Sequence, residues 1–266
     1  MEERVVLSVE HLHISVPAPQ GTKKLMNDVS FDLKKGQVLG LVGASGSGKT
    51  MTCLAIMGLL ADSVLVEQGT IRLEGHNLLQ LHPRQMRALR GSRIAVIMQN
   101  PMSAFNPTLT IGAHFVETIR THRPLSRKEA SELAVTYLAK TGLRFPDKLM
   151  DQYPFQLSGG MLQRVMIAIA MSLQPAVVIA DEPTTALDSV HQTQLLDQMY
   201  RLCQEQDTAM LLVSHDLGVI AYMADEVMVM NNGSIVEKAP AADLFERPEH
   251  PYTRMLLQAR ADARLA

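Results

Sequence analysis

Residues Gly43-Ala44-Ser45-Gly46-Ser47-Gly48-Lys49-Thr50 have the types and spacing to hold a chain of phosphates. Glycines let the backbone curl until successive N–H groups point inward at phosphate oxygens. A helix opening at Lys49 aims the positive end of its dipole at the same anion. The Lys49 ammonium can then bridge the terminal phosphates, and the Thr50 hydroxyl can ligate Mg²⁺. A second element, Val177-Val178-Ile179-Ala180-Asp181-Glu182, is an apolar strand ending in adjacent carboxylates. Neighbouring strand residues project to opposite sides, which separates two jobs. Asp181 is placed to hold Mg²⁺, directly or through water, and Glu182 to orient and polarise an attacking water. A third element, Leu157-Ser158-Gly159-Gly160-Met161, puts a hydroxyl and glycines at a helix start, an anion site by the same logic. One nucleotide uses both anion sites only if a partner chain supplies the second.

The elements that must position these residues can be read from the hydrophobic pattern. Gln37–Val42 is a short apolar run entering the glycine-rich turn, and Lys49–Leu60 follows it as a helix. Val5–Val9, Asp28–Leu33, Gly69–Leu73 and Ile94–Met98 also read as strands. Between Pro101 and Gln174 the pattern turns helical, with helices expected near Ile111–Thr121, Arg127–Thr141 and Gly159–Leu173. Beyond it come strands Val177–Ala180 and Ala209–Ser214, helices Val190–Gln204 and Leu217–Met223, and a hairpin turning at Asn232-Gly233. Early and late strands around a helical block imply an α/β core interrupted by a helical subdomain. The expected division is core at 1–98 and 175–239, helical subdomain at 99–174 and tail at 240–266.

Composition narrows the class. A chain of 266 residues with 47% hydrophobic and 20% charged residues is long and apolar enough for a large core, which excludes disorder. A net charge of −2 argues against binding nucleic acid through a basic face. Two cysteines, Cys53 and Cys203, cannot make a disulfide framework and fit a reducing compartment; Cys53 reads as a small buried hydrophobe. The best uncharged apolar stretch, Val165–Leu173, is about half of the roughly 18 residues a membrane helix needs. The 17 methionines read as core filling rather than metal ligands, because thioethers favour Cu(I), and the histidines lack ligand spacing.

Taken in order, Gly43, Gln99, Ser158, Asp181-Glu182, Asp188 and His215 resemble the nucleotide-binding subunit of an ATP-binding cassette (ABC) transporter, over essentially the whole chain. The resemblance implies an α/β fold with a P-loop NTPase (RecA-like) core, an antiparallel β subdomain and an inserted helical subdomain. It implies that ATP and Mg²⁺ are bound and that hydrolysis drives transport. Gln99 looks like the Q-loop glutamine that contacts Mg²⁺ and water, Ala186-Leu187-Asp188 like the D-loop, and His215 like the switch histidine on the γ-phosphate. The implied nucleotide set is Gly43, Ser45, Gly46, Ser47, Gly48, Lys49, Thr50 and Thr52, with Ser158, Gly159, Gly160 and Asp188. Thr50, Gln99 and Asp181 would hold Mg²⁺, and Glu182, His215 and Gln99 would organise hydrolysis. Met161 departs from the glutamine usual in the signature motif. Val16 stands where the family usually stacks adenine on an aromatic ring, which implies weaker ATP binding.

Two further segments are similar to the oligopeptide/dipeptide/nickel importer ATPases: Arg247-Pro248-Glu249-His250-Pro251-Tyr252-Thr253-Arg254 and Gln99-Asn100-Pro101-Met102-Ser103-Ala104-Phe105-Asn106-Pro107. Many peptide-importer members carry a longer tail with a Cys cluster; this chain ends at Ala266. With Val16 and Tyr153–Arg164, that makes the first ATPase subunit of nickel or metallophore importers the nearest resemblance, with a dipeptide or oligopeptide importer as the alternative. The implied partners are a second, different ATPase subunit, two integral-membrane permeases and, indirectly, an extracytoplasmic binding protein. The implied location is peripheral, on the cytoplasmic face of the inner or plasma membrane. A non-transport ABC ATPase, such as a translation or DNA-repair factor, usually carries a second cassette or long coiled coils, and neither is visible in 266 residues.

Overall fold

The structure, a computed structural model, describes residues 4–19, 21–184 and 189–263. The chain packs as two compact units: residues up to 86 together with those from 209 onward, and residues 87–208.

The first unit opens with β1 (Val5–Ala18) and β2 (Gly21–Lys34), a long antiparallel pair running in register from Val5↔Lys34 to Ala18↔Gly21. Both strands extend well past the segments expected from alternation. The reason is a pair of register shifts, between Val9 and Leu12 at His11 and between Leu12 and Ile14 at Asp28; both residues adopt left-handed backbone (φ 47 and 55) and their side chains bond at 2.8 Å. A bulge breaks the period of two, so the pattern reads as a strand end although pairing continues. Then follow β3 (Val38–Val42), buried along its whole length, and α1 (Lys49–Ile56). α1 stops short of the expected Leu60 because the chain turns at Gly58, φ 59. β4 (Leu65–Leu73) pairs antiparallel with β1, and β5 (His76–Asn77) pairs with β4. α2 (Pro83–Leu89), not expected from the sequence, leads into the second unit.

The second unit contains β6 (Ile94–Ile97), α3 (Ile111–His122), α4 (Arg127–Lys140), α5 (Pro146–Leu149), α6 (Gly159–Ser172), β7 (Val177–Asp181) and α7 (Ser189–Glu205). β6 and β7 run parallel, Ile94↔Val177 through Ile97↔Ala180. The helices start where their caps dictate. Thr110 caps α3, Ser126 and Glu129 form a reciprocal capping box on α4, and Ser158 caps α6. Phe115, Ile119, Ala134, Leu138, Leu162 and Val165 bury the faces on which α3, α4 and α6 meet.

The first unit resumes with β8 (Ala209–Val213), α8 (Leu217–Met223), β9 (Glu226–Asn231), β10 (Ser234–Pro240), α9 (Ala241–Glu246) and α10 (Pro251–Ala263). β3 lies between β8 and β9, parallel to both, and β10 turns back antiparallel on β9. The turn is the one expected, with Asn232 and Gly233 both left-handed at φ 47 and 80.

Met26, Met210, Met228 and Met230 are completely buried in the first unit, as packing residues should be. Among the described residues no group of His, Cys, Asp and Glu could hold a metal ion, and no helix is long and apolar enough to cross a membrane. Cys53 and Cys203 are buried and not joined in a disulfide, and burial pushes the Cys203 thiol up to about 12. A thiol held neutral is a poor nucleophile. Iodoacetamide at pH 8 is therefore expected to leave both cysteines unmodified in the folded protein and to alkylate both in urea. Alkylation of Cys203 at a comparable rate in both states, read by mass spectrometry, would overturn this.

Candidate functional site

The phosphate loop begins where β3 ends. Gly43 takes φ 155, and a Cβ there would lie 2.2 Å from the Met230 carbonyl oxygen, so no side chain fits. Gly46 and Gly48 are left-handed, at φ 77 and 116. Ser47 donates its N–H to the Ala44 carbonyl at 3.2 Å, which closes the loop into a tight turn. That arrangement leaves the N–H groups of Ser45, Gly46 and Gly48 with no acceptor among the described residues. The Lys49 ammonium arches over the loop and donates to the Gly43 and Ala44 carbonyls at 2.8 and 3.0 Å. Amides without acceptors beside a fixed ammonium form a cradle for an anion. Thr50 is exposed at the start of α1.

Two members of the expected nucleotide set are placed otherwise. The Thr52 side chain is 1% exposed, and its hydroxyl donates to the Gly48 carbonyl at 3.1 Å, so it supports the loop from beneath and does not face a ligand. Ser47 is also buried, its N–H is spent within the loop, and its hydroxyl has no hydrogen-bond partner among the described residues. The sequence reading also missed a support. The β9–β10 turn braces the loop through Gly233, whose N–H donates to the Ser47 carbonyl at 2.8 Å while its own carbonyl accepts from Asn27 at 2.8 Å. A Cβ at Gly233 would lie 2.3 Å from the Leu25 carbonyl oxygen, so the turn residue and the brace demand glycine for separate reasons.

His215 follows β8, next to β3 in parallel register, so it leaves the sheet at the same edge as the phosphate loop. It is exposed, between Ser214, whose hydroxyl accepts the Asp216 N–H, and Asp216, whose carboxylate caps α8 through Gly218 at 2.7 Å. Val16 stands on β1 opposite Lys23, half-buried, and offers no ring.

The second unit groups the remaining positions. Asp181 ends the buried strand β7, and Glu182 next to it is left-handed at φ 52, a conformation costly for a residue with a Cβ. Gln99 follows β6, which is parallel to β7, so it and the two carboxylates leave the same edge. Ligands in open α/β sheets bind beyond such carboxyl ends. Ser158 accepts the Met161 N–H at 3.3 Å; because a backbone group fills the bond, the side chain at 161 does not disturb the cap. Ser158, Gly159, Gly160 and Met161 border a cleft of about 840 Å³ together with Arg144 and Lys148. Gln163, buried on α6, reaches the Met98 carbonyl at 3.4 Å and ties this helix to the segment before Gln99. Asp188, with Ala186 and Leu187, lies outside the described residues.

The fold is shared with ATP-binding cassettes. A dimeric post-hydrolysis structure of the cassette MJ0796 bound to ADP and Pi superposes with a TM-score of 0.78 over 88% of this chain and 98% of that one, at 22% identity. The family model "ABC transporter" matches residues 26–185, and "Oligopeptide/dipeptide transporter, C-terminal region" matches residues 236–264. The probable D,D-dipeptide transport ATP-binding protein DdpD of Escherichia coli is 45% identical over 95% of this chain and 77% of its own length. The metal-staphylopine import system ATP-binding protein CntD of Staphylococcus aureus is 40% identical over 96% of this chain and 93% of its own length. The chain belongs to the ABC transporter ATP-binding subunits of the oligopeptide/dipeptide importer family, ATPases whose turnover is coupled to transport.

Proposed function

We propose that this chain energises import of short peptides by ATP-driven closure against a second ATPase subunit, from a peripheral position on the cytoplasmic face of a membrane. The observation that carries the ATPase part is the phosphate loop: amides without acceptors at Ser45, Gly46 and Gly48 beneath the Lys49 ammonium. They fit the β- and γ-phosphates of ATP. Ser158, Gly159 and Gly160 would cap the ATP of the partner subunit, and Asp188 belongs to the same set by resemblance. Thr50, Gln99 and Asp181 are oxygen donors suited to Mg²⁺, which when bound would neutralise phosphate charge. Glu182 orients and deprotonates water, while His215 and Gln99 hold the terminal phosphate and the water in place.

Coupling to a membrane partner is supported by an apolar groove of about 290 Å³ in the second unit. Met98, Phe105, His114, Met166, Ile169 and Leu173 are among its lining residues. Met98 and, nearby in sequence, Met102 are 43% and 47% exposed. Flexible thioethers beside Gln99 suit a short apolar helix from a permease. Two permeases, a different second ATPase and an extracytoplasmic binding protein complete the proposed assembly.

The nearest resemblance from the sequence is to nickel or metallophore importers. The DdpD relative and the matched C-terminal region favour peptide, while CntD keeps a metal chelate as the second reading. Both cargoes are read elsewhere in such an assembly, so residues of this chain do not select between them. Uptake of labelled dipeptide and of labelled nickel, compared in cells with and without this chain, separates them. Loss of dipeptide uptake alone is expected; loss of nickel uptake alone would reverse the assignment.

A further inference from the structure

The His-Pro-Tyr-Thr segment does more in this structure than mark a family. Its turn is held from two sides. The Glu237 carboxylate on β10 accepts the N–H groups of Glu249 and His250 at 2.8 and 3.0 Å. The Arg254 guanidinium donates back to the Pro248 and Glu249 carbonyls, both at 3.0 Å. His250 Nδ1 accepts the Tyr252 N–H at 3.1 Å, and Pro251 opens α10 at the helix position that needs no donor. Burial works against the Glu237 carboxylate, but the N–H groups of Glu249 and His250 help hold it below the usual carboxylate range. The outcome of this latch is the placement of one atom. Tyr252 Oη accepts the N–H of Ala44 at 3.0 Å, across 208 residues of sequence.

Ala44 is the residue on which the phosphate loop pivots. Its carbonyl takes the Ser47 N–H and the Lys49 ammonium, and the ligand-facing amides begin at Ser45. Fixing its N–H from outside lowers the conformational freedom the loop must lose when it closes on phosphate. We propose that Tyr252 is a positioning residue for the phosphate loop: the Glu237-latched tail holds its hydroxyl against Ala44 and pre-orders the cradle for nucleotide. The proposal deepens the reading of residues 43–50 as an ATP cradle and rests on it.

The test uses the full-length chain and MgATP. Tyr252→Phe keeps the ring and removes the acceptor. It is expected to weaken MgATP binding about three- to tenfold, the value of one hydrogen bond. Amide exchange at Ala44 should accelerate, and the melting temperature without nucleotide should stay near wild type. Glu237→Gln loses one of its two acceptor oxygens and should weaken binding in the same direction. Combined with Tyr252→Phe it should add little, because both act through one contact. Wild-type affinity in Tyr252→Phe, or fully additive losses in the double variant, would overturn the proposal. A parallel Lys49→Ala arm keeps the two readings apart: if that variant binds MgATP normally, the cradle reading fails first, whereas loss in Lys49→Ala with none in Tyr252→Phe removes only the tail's role.

Discussion

Lys49→Ala is expected to lower MgATP affinity at least about tenfold and as much as several hundredfold, measured by calorimetry on the full chain. The structure fixes the ammonium over the loop. It is held there by the Gly43 and Ala44 carbonyls at 2.8 and 3.0 Å. Those bonds point it at the centre of the loop before any nucleotide arrives, so little side-chain freedom remains to be lost on binding. A charge-assisted hydrogen bond to phosphate contributes about 1.5–3 kcal/mol, and long-range attraction to the polyphosphate adds to it. Truncation removes both and also takes the ammonium from the Gly43 and Ala44 carbonyls, of which Ala44 keeps the Ser47 N–H, so the turn loosens. Lys49→Arg should recover little, because a planar fork cannot sit over two carbonyls and an anion as a compact ammonium does. A dissociation constant unchanged in Lys49→Ala would remove the basis for reading residues 43–50 as a phosphate site.

What the sequence disclosed follows a physical division between local and distant causes. The loop at 43–50, the caps at Thr110, Ser126 and Ser158, and the Asn232-Gly233 turn are specified by residues within a few positions of one another, and each forms where the residue types require. Long-range features stayed hidden. The Gly233 to Ser47 brace and the Ala44 to Tyr252 bond join segments 186 and 208 residues apart, and nothing in local pattern announces such a pairing. Thr52 shows the opposite failure. A threonine near a phosphate loop suggests a ligand, but helical geometry turns its hydroxyl back to the Gly48 carbonyl four residues earlier. The truncated reading of β1 and β2 came from bulges at His11 and Asp28, where positive φ breaks the alternation that defines a strand on paper. Cargo was the least legible, because in the proposed assembly the residues that touch it belong to other chains. Similarity to DdpD and to CntD bears on it only through their names.

Glu182→Gln should separate binding from turnover. Glutamine keeps the size and the hydrogen-bonding reach of the side chain, so MgATP affinity should remain within a few-fold of wild type. It cannot accept a proton at neutral pH, and loss of a positioned general base costs about 10²–10⁴ in rate. Hydrolysis by the assembled transporter is therefore expected to fall by at least about a hundredfold, with nucleotide still bound. The backbone at this position is also unusual. Glu182 holds φ 52 directly after a strand buried along Val177–Ala180, where a glycine would adopt that conformation without cost. A strained non-glycine residue directly after a buried strand is a feature that functional sites share, in keeping with the base role proposed for Glu182. Glu182→Gly provides the control. It relieves the left-handed backbone, so its melting temperature should not drop, yet it removes the base and should be as inactive as Glu182→Gln. Near wild-type hydrolysis in Glu182→Gln would show that another group activates the water and that the strain at residue 182 serves the turn alone.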